Sequence, residues 1–392
     1  MKKPVSLKNK VAIVGVGESD IGKVPHMTGL GLNAQAAKYA LEDAGMTISD
    51  IDGLLTAYSF TEPYFMLGSV LCEYLGIKPR YNASMVVGGA SPAVMLHHAA
   101  QAIASGQAET ILVCAGENRA TGQSRDATLS TLLAVGHPYY EQPYGGSIPG
   151  YYAMIAQRHM HKYGTTRDQL SHVAVQTREH ALLHPNAHMK KSITLDDVNN
   201  AKPIADPLGM LDCCLISDAG GAFIVTSAER AKDVPGRPIY LQGIGEYHTH
   251  EHLMCAPSLT EFGAAESGRI AYEMAGLNAR DIDVAELYDC FTIVPLIEFE
   301  ELGFCKPGEA GPMFADGYTR IGGTLPVNTH GGMLSHAHAG AAGGLFGIVE
   351  AVRQLRGGLG NRQVEGAEVA LVHNEGGILS SHCTLILAGE KG

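Results

Sequence analysis

Cysteine is present in this chain without being organised. The eight cysteines, at positions 72, 114, 213, 214, 255, 290, 305 and 383, form no C-x-x-C pair and no zinc-ligand spacing. Most lie inside apolar runs, which reads as buried thiols in a reducing compartment. Basic residues never cluster beyond a pair, and the net charge is −12; a nucleic-acid surface is excluded on those grounds. No apolar run reaches the roughly 18 residues of a membrane-crossing helix. The segment MKKPVSLKNKVAIVGVG lacks the apolar stretch of a signal peptide and passes straight into a strand-like run. The expectation is a cytoplasmic protein with no membrane span, no metal and no bound cofactor.

With 392 residues, 45% hydrophobic and 17% charged, the chain can bury a large core in two domains or two fused halves. An internal repeat favours the halves. Residues 36–54 read AAKYALEDAGMTISDIDGL and residues 267–287 read SGRIAYEMAGLNARDIDVAEL. Ala44-Gly45-Met46 matches Ala275-Gly276-Leu277, and Asp50-Ile51-Asp52 matches Asp281-Ile282-Asp283, at one offset. Glu109–Val113 and Glu368–Val372 form a weaker pair in the same order, each after a glycine-rich turn and a long helical pattern. VAIVGVG, ETILVCAG, PIYLQGIG and EVALVHN are continuous apolar runs, as strands covered on both faces require. The fold class is α/β: two tandem similar halves with helices around mixed sheets, residues 1–235 and 236–392. Within the first half, about residues 118–235 turn polar and rich in Tyr, His and Pro. They read as an inserted region covering one face.

Residues 84–96, SMVVGGASPAVML, carry an apolar run into Gly88-Gly89-Ala90-Ser91-Pro92 and then a helical pattern. A strand-to-helix turn of this kind seats nucleophiles in many enzymes, because the helix N-terminus favours negative charge. Here the only candidate side chain is Ser91, and a serine in a first helical turn more often caps the backbone.

Four further stretches carry motifs: ADPLGMLDCCLISDAGGAFIVTSAE, ELYDCF at 286–291, VNTHGGMLSHAHAGAAGGLFGIVEAVRQLRG, and VHNEGG at 372–377. Together they resemble the sterol-carrier-protein-type thiolases of the thiolase superfamily. ELYDCF is similar to that family's H-D-C-F motif, with Tyr288 in place of histidine. The helix end Gln354-Leu355-Arg356-Gly357 sets the register that puts His338 on the histidine of the G-H-P motif, between Ala337 and Ala339. The resemblance implies a thiolase fold, a coenzyme A thioester as substrate and a homodimer with strands paired across the two-fold axis. It also places Gly89 where the family's acyl-carrying cysteine stands, and Asn374 where its second cysteine stands. The steroid side-chain-cleaving aldolases of the superfamily are similar in lacking that cysteine and in having a Y-D-C-F-like motif. Their resemblance implies a small acyl-CoA-binding partner built from a zinc ribbon and an OB-fold.

Thiolysis and Claisen condensation through an acyl-enzyme need a nucleophile. A retro-aldol cleavage of a β-hydroxyacyl-CoA needs only a base for the hydroxyl and donors for the enolate. The expected catalytic residues are Tyr288, as base or donor, His338, as thioester positioner or proton relay, and Glu375, as base or as a solvated loop residue. His336 and His330 compete with His338. Asp289 reads as the cap of a helix starting near Phe291. Gly89, Ser91, Asn374, Gly376 and Gly377, with Gly88, are the expected oxyanion and substrate-binding positions. The favoured reading is an aldolase or retro-aldol lyase. Alternatives are an acyltransferase, using Ser91 or an acyl group delivered by a partner, and a non-catalytic acyl-CoA-binding subunit. The histidine row at 248, 250 and 252 reads as a loop cluster rather than a metal site.

Overall fold

The computed structural model describes residues 6–389. Eleven strands occur among them: β1 (Val11–Glu18), β2 (Gly53–Ala57), β3 (Tyr81–Met85), β4 (Thr110–Asn118), β5 (Pro203–Ala205), β6 (Leu208–Gly209), β7 (Asp218–Ser227), β8 (Ile239–His248), β9 (Val284–Leu287), β10 (Val369–Gly376) and β11 (Ser381–Ala388). The α-helices are α1 (Gly29–Ala44), α2 (Leu67–Leu75), α3 (Ser91–Ala104), α4 (Arg125–Ala134), α5 (Ile148–Tyr163), α6 (Arg167–Leu183), α7 (Leu195–Asn199), α8 (Ala264–Ala275), α9 (Val294–Glu301), α10 (Ala310–Ala315) and α11 (Gly343–Arg356). Nine strands make one mixed sheet in the order β3-β2-β4-β7-β1-β8-β11-β10-β9, and β5 and β6 form a separate pair.

The sheet repeats itself about the antiparallel β1–β8 contact. Outward from β1 run antiparallel β7, antiparallel β4 and parallel β2; outward from β8 run antiparallel β11, antiparallel β10 and parallel β9. The sequence repeat has a physical cause here. Asp52 accepts hydrogen bonds from the Glu109 and Thr110 amides (2.9 and 2.8 Å), and Asp283 accepts them from the Glu368 and Val369 amides (both 2.9 Å). Each aspartate thus ties the start of one parallel strand to the start of its neighbour. Gly45 and Gly276 end α1 and α8 with φ of 63° and 70°, a left-handed C-cap that glycine adopts without a Cβ penalty. Gly15 and Gly17 of β1 let the backbone of α1 lie directly on the strand, and Gly243 and Gly245 of β8 do the same for α8. The GVG of β1 is a helix-packing device.

α3 and α11 pack against each other and against the sheet, and their apolar faces build one core with Phe223, Phe346 and Leu385. Both are largely buried, α11 on nearly every face.

One expectation needs correction. The covering region does not extend to residue 235, because Asp218–Ser227 is β7, a strand between β4 and β1. Its text, DAGGAFIVTS, is a doubly covered apolar run like the other central strands. α4 to α7 and the β5–β6 pair lie in the remaining stretch, and α5 and α6 join the second half in its own core.

Candidate active site

The side chains singled out in the sequence leave the carboxyl ends of strands. β3 runs through Val86–Ala90 into α3, β9 ends at Leu287 just before Tyr288, and β10 ends at Glu375 and Gly376. Glu375 and Asn374 therefore belong to a buried strand end, 1% and 2% exposed, and not to a solvated loop. An eight-residue register against β11 runs from Val369 to Gly376 and carries the strand two residues past the apolar text.

Gly89 decides the character of the site. A Cβ built on it would fall inside the phenol of Tyr288 and 2.6 Å from the Glu375 carbonyl oxygen. The space into which a side chain at position 89 would project is already filled by the tyrosine. Gly88 and Gly376 serve a second close approach. A Cβ on Gly88, which has φ +56°, would lie 2.7 Å from the Gly377 nitrogen, and one on Gly376 would strike the Val87 carbonyl. The two glycine turns are pressed together, backbone on backbone.

Ser91 is fully buried as the first residue of α3. Its hydroxyl donates to the Gly88 carbonyl (2.7 Å) and accepts from the Val87 amide (3.0 Å). Both bonds knit the turn, and among the described residues no base contacts the oxygen.

Tyr288 is 6% exposed. Burial pushes its phenol well above the ordinary range, and Cys290 and Glu375 push the same way. It stays protonated, a donor and not a phenolate. Its amide donates to Glu298 Oε2 at 2.9 Å. Glu298 is itself raised, by burial and then by Glu375, so it carries a proton.

His338 Nδ1 lies 3.2 Å from the Leu215 carbonyl oxygen. A carbonyl only accepts, so Nδ1 holds the hydrogen. Burial, followed by the charge of Arg119, holds the imidazole down to about 4. At neutral pH the ring is neutral and Nε2 is bare, an acceptor of protons rather than a donor to a thioester oxygen. The ring edge abuts the start of α11: a Cβ on Gly343 would lie 2.6 Å from its Cδ2. One on Gly344 would lie 2.6 Å from Asn374 Oδ1 and 2.7 Å from the Gly89 carbonyl oxygen. The N-terminus of α11 thus touches both His338 and Asn374 and approaches Gly89, which precedes α3 and abuts Tyr288. Tyr288, Asp289, His330, Met333, Gly343, Gly344 and Asn374 share a cavity of about 10 Å³, near the size of one water.

The competing histidines separate cleanly. His336 points away, its Nε2 3.1 Å from Glu18, which Arg353 neutralises at 2.8 Å. Glu18, His184 and His336 could in principle ligate a metal, their donor atoms lying within 4.8 Å of one another, but the carboxylate's charge is already matched. His330 Nδ1 pairs with Glu286 at 2.8 Å. Asp289 does not cap α9, which begins at Val294. Its carboxylate accepts from the Met333 amide at 2.6 Å and holds the helical turn Gly332–His336 in place.

Glu375 Oε1 accepts from Tyr152 at 2.6 Å and from the Cys290 thiol at 3.3 Å; Oε2 accepts from the Leu379 amide at 3.0 Å. Burial lifts it to about 7 against those bonds. It has three donors to hold in place, which is a positioning arrangement. Cys290 and Cys214 are the thiols near Tyr288. Burial, then Glu375 for Cys290 and Cys213 for Cys214, raises both, so neither offers a thiolate.

Residues 245–389 match the family described as Thiolase C-terminal domain-like. An acetyl-CoA acetyltransferase of Methanothermobacter thermautotrophicus is 35% identical over 94% of this chain and 96% of its own. The chain belongs to the thiolase superfamily. The 17-hydroxy-3-oxo-4-pregnene-20-carboxyl-CoA lyase of Mycobacterium tuberculosis is 36% identical over 96% of this chain and 98% of its own. The solved Ltp2-ChsH2(DUF35) aldolase superposes with a TM-score of 0.87 at 34% identity, covering 99% of this chain and 100% of that one. No helix among the described residues of this thiolase-superfamily enzyme is long and apolar enough to cross a membrane.

Sequence reasoning missed four groups around this thiolase-superfamily site. Tyr152 reaches in from α5 and stacks on Phe291 with ring centroids 4.4 Å apart. Tyr58 follows β2, its phenol pushed up to about 12 by burial and then Glu117. Glu298 backs Tyr288, and Arg119 follows β4 beside His338. Only Tyr58 and Arg119 had a local signal: each stands at the carboxyl end of an apolar strand, where α/β sheets place their ligands.

Proposed function

We propose that this enzyme cleaves the C–C bond of a β-hydroxyacyl-CoA by retro-aldol chemistry, with no acyl-enzyme. The observation that carries the reading is the phenol of Tyr288 in the space that a nucleophile at position 89 would need. Nε2 of His338 takes the β-hydroxyl proton. The Cα–Cβ bond breaks, its electron pair forms the thioester enolate, and a carbonyl forms at Cβ. The Tyr288 hydroxyl and the N-termini of α3 and α11 hold the developing charge, with Asn374 and the glycines at 89, 376 and 377 shaping the wall. The proton returns to Cα, leaving a shortened acyl-CoA and an aldehyde or ketone. Glu375 positions Tyr152 and Cys290 against this wall. Relatives named as a lyase and as an aldolase agree with this reading. Acyl transfer through Ser91 is disfavoured because its hydroxyl is committed to the turn.

The same proposal takes residues 1–235 and 236–392 as the two halves and places the enzyme in the cytoplasm. A homodimer through the outer edge of β3 accounts for exposed Phe65, Met66 and Val86 near that edge. A small acyl-CoA-binding partner is proposed because the superposing aldolase pairs Ltp2 with ChsH2(DUF35). Incubation with β-hydroxyacyl-CoA thioesters, followed by mass spectrometry of the shortened acyl-CoA and the carbonyl product, tests the reaction. Tyr288→Phe should lower kcat by about 10²–10³-fold with KM little changed; unchanged turnover removes Tyr288 from the mechanism.

A further inference from the structure

Arg119 is a buried charge whose neighbouring carboxylate, Glu117, feels it without forming an ion pair with it. It follows β4 directly, is 8% exposed, and its Nε has no hydrogen-bond partner. Among the described residues no Asp or Glu forms an ion pair with it. Its guanidinium carbon stands 5.2 Å over the Phe60 ring, and its Cδ lies 3.3 Å from a Cβ built on Gly340. Its charge bears on His338, Cys214, Tyr58 and Glu117. The nearby carboxylate, Glu117, spends Oε1 on the Ser59 hydroxyl and the Phe60 and Thr61 amides, and leaves Oε2 unpartnered. Burial raises Glu117 above the ordinary carboxylate range, against the Ser59 hydroxyl and the charge of Arg119.

A guanidinium keeps its charge at physiological pH, and burying it unpaired is costly. We infer that Arg119 is a specificity residue for a carboxylate on the acyl chain, so that the preferred ligand is the CoA thioester of a dicarboxylic acid. The inference rests on the acyl-CoA reading above. A planar carboxylate suits a guanidinium fork walled by Phe60 and Tyr58. The phosphates of coenzyme A are bulkier, more highly charged and more hydrated, and belong nearer solvent.

The test uses ligands that the enzyme does not cleave. Calorimetry on the full chain compares succinyl- with butyryl-CoA, glutaryl- with valeryl-CoA, and adipoyl- with hexanoyl-CoA, for wild type, Arg119→Gln and Arg119→Lys. One dicarboxylyl member should bind wild type roughly tenfold more tightly than its partner, as a charge-assisted bond supplies. Arg119→Gln should erase that difference without weakening the monocarboxylyl member, and Arg119→Lys should keep part of it. No preference in wild type overturns the inference. Equal weakening of both members in Arg119→Gln also overturns it, assigning the arginine to the thioester or the coenzyme A phosphates. If Arg119→Gln fails to fold, the wild-type pairs decide alone. Because no turnover is needed, a failed cleavage assay sinks the lyase reading while leaving this result to stand or fall by itself.

Discussion

Gly89→Ala is the smallest change that attacks the site's central feature. The added methyl would occupy the volume of the Tyr288 phenol and lie 2.6 Å from the Glu375 carbonyl oxygen. Neither neighbour yields easily: the tyrosine is 6% exposed and the carbonyl belongs to β10, a strand paired on both sides. Overpacking of this kind costs about 1–3 kcal/mol. With about 2.1 cal/mol/K of unfolding entropy per residue over 392 residues, that corresponds to a fall in Tm of about 1–4 °C. Activity should fall much further, by about 10²-fold or more, because a displaced phenol no longer meets the developing charge. Tyr288→Ala combined with Gly89→Ala should cost less stability than those two single changes added together and recover none of the activity. Scanning calorimetry and steady-state product assays on the three variants measure both terms. A Gly89→Ala protein with the Tm and kcat of wild type would refute the claim that the phenol fills this space.

Glu375→Gln isolates one titration. The folded carboxyl sits at about 7 against an ordinary 4.5, so the folded state binds the extra proton between those values. Its contribution is whole below about 4.5 and is lost as pH rises through about 7. The Tm difference between Glu375→Gln and wild type should therefore climb across that window, by an amount equivalent to about 3 kcal/mol; a constant difference contradicts the raised pKa. Ser91→Ala removes the acceptor of the Val87 amide and a donor to Gly88. It should cost about 1 kcal/mol of stability and leave kcat within a few-fold of wild type; abolished turnover would return Ser91 to the chemistry.

Much of the scaffold is legible in the amino-acid text. Doubly covered strands such as VAIVGVG and ETILVCAG show themselves as apolar runs, and Asp52 and Asp283 repeat because each ties two strand starts together. The placement of Gly89 is readable because the helical text of α3 that follows it has no break. β7 hides because its apolar text lies within a stretch that reads as a cover, with no break in character from residues 208–216 before it. Glu375 reads equally well as a solvated loop residue, since acidic text at a strand end gives no burial signal. Tyr152 cannot be found from sequence at all: its partner Glu375 is 223 residues away, and nothing local in α5 distinguishes it from a core tyrosine. Arg119 is similar, since a lone arginine after a strand announces itself only when the space around it shows no carboxylate paired with it.

The claim on which everything turns is catalysis without a covalent acyl intermediate, and intact-protein mass spectrometry measures it directly. Enzyme incubated with a cleavable acyl-CoA, quenched in acid during turnover and weighed, should retain its unmodified mass while the shortened thioester accumulates. A mass increment equal to the acyl group, mapped by digestion to Cys214, Cys290 or Ser91, would contradict it.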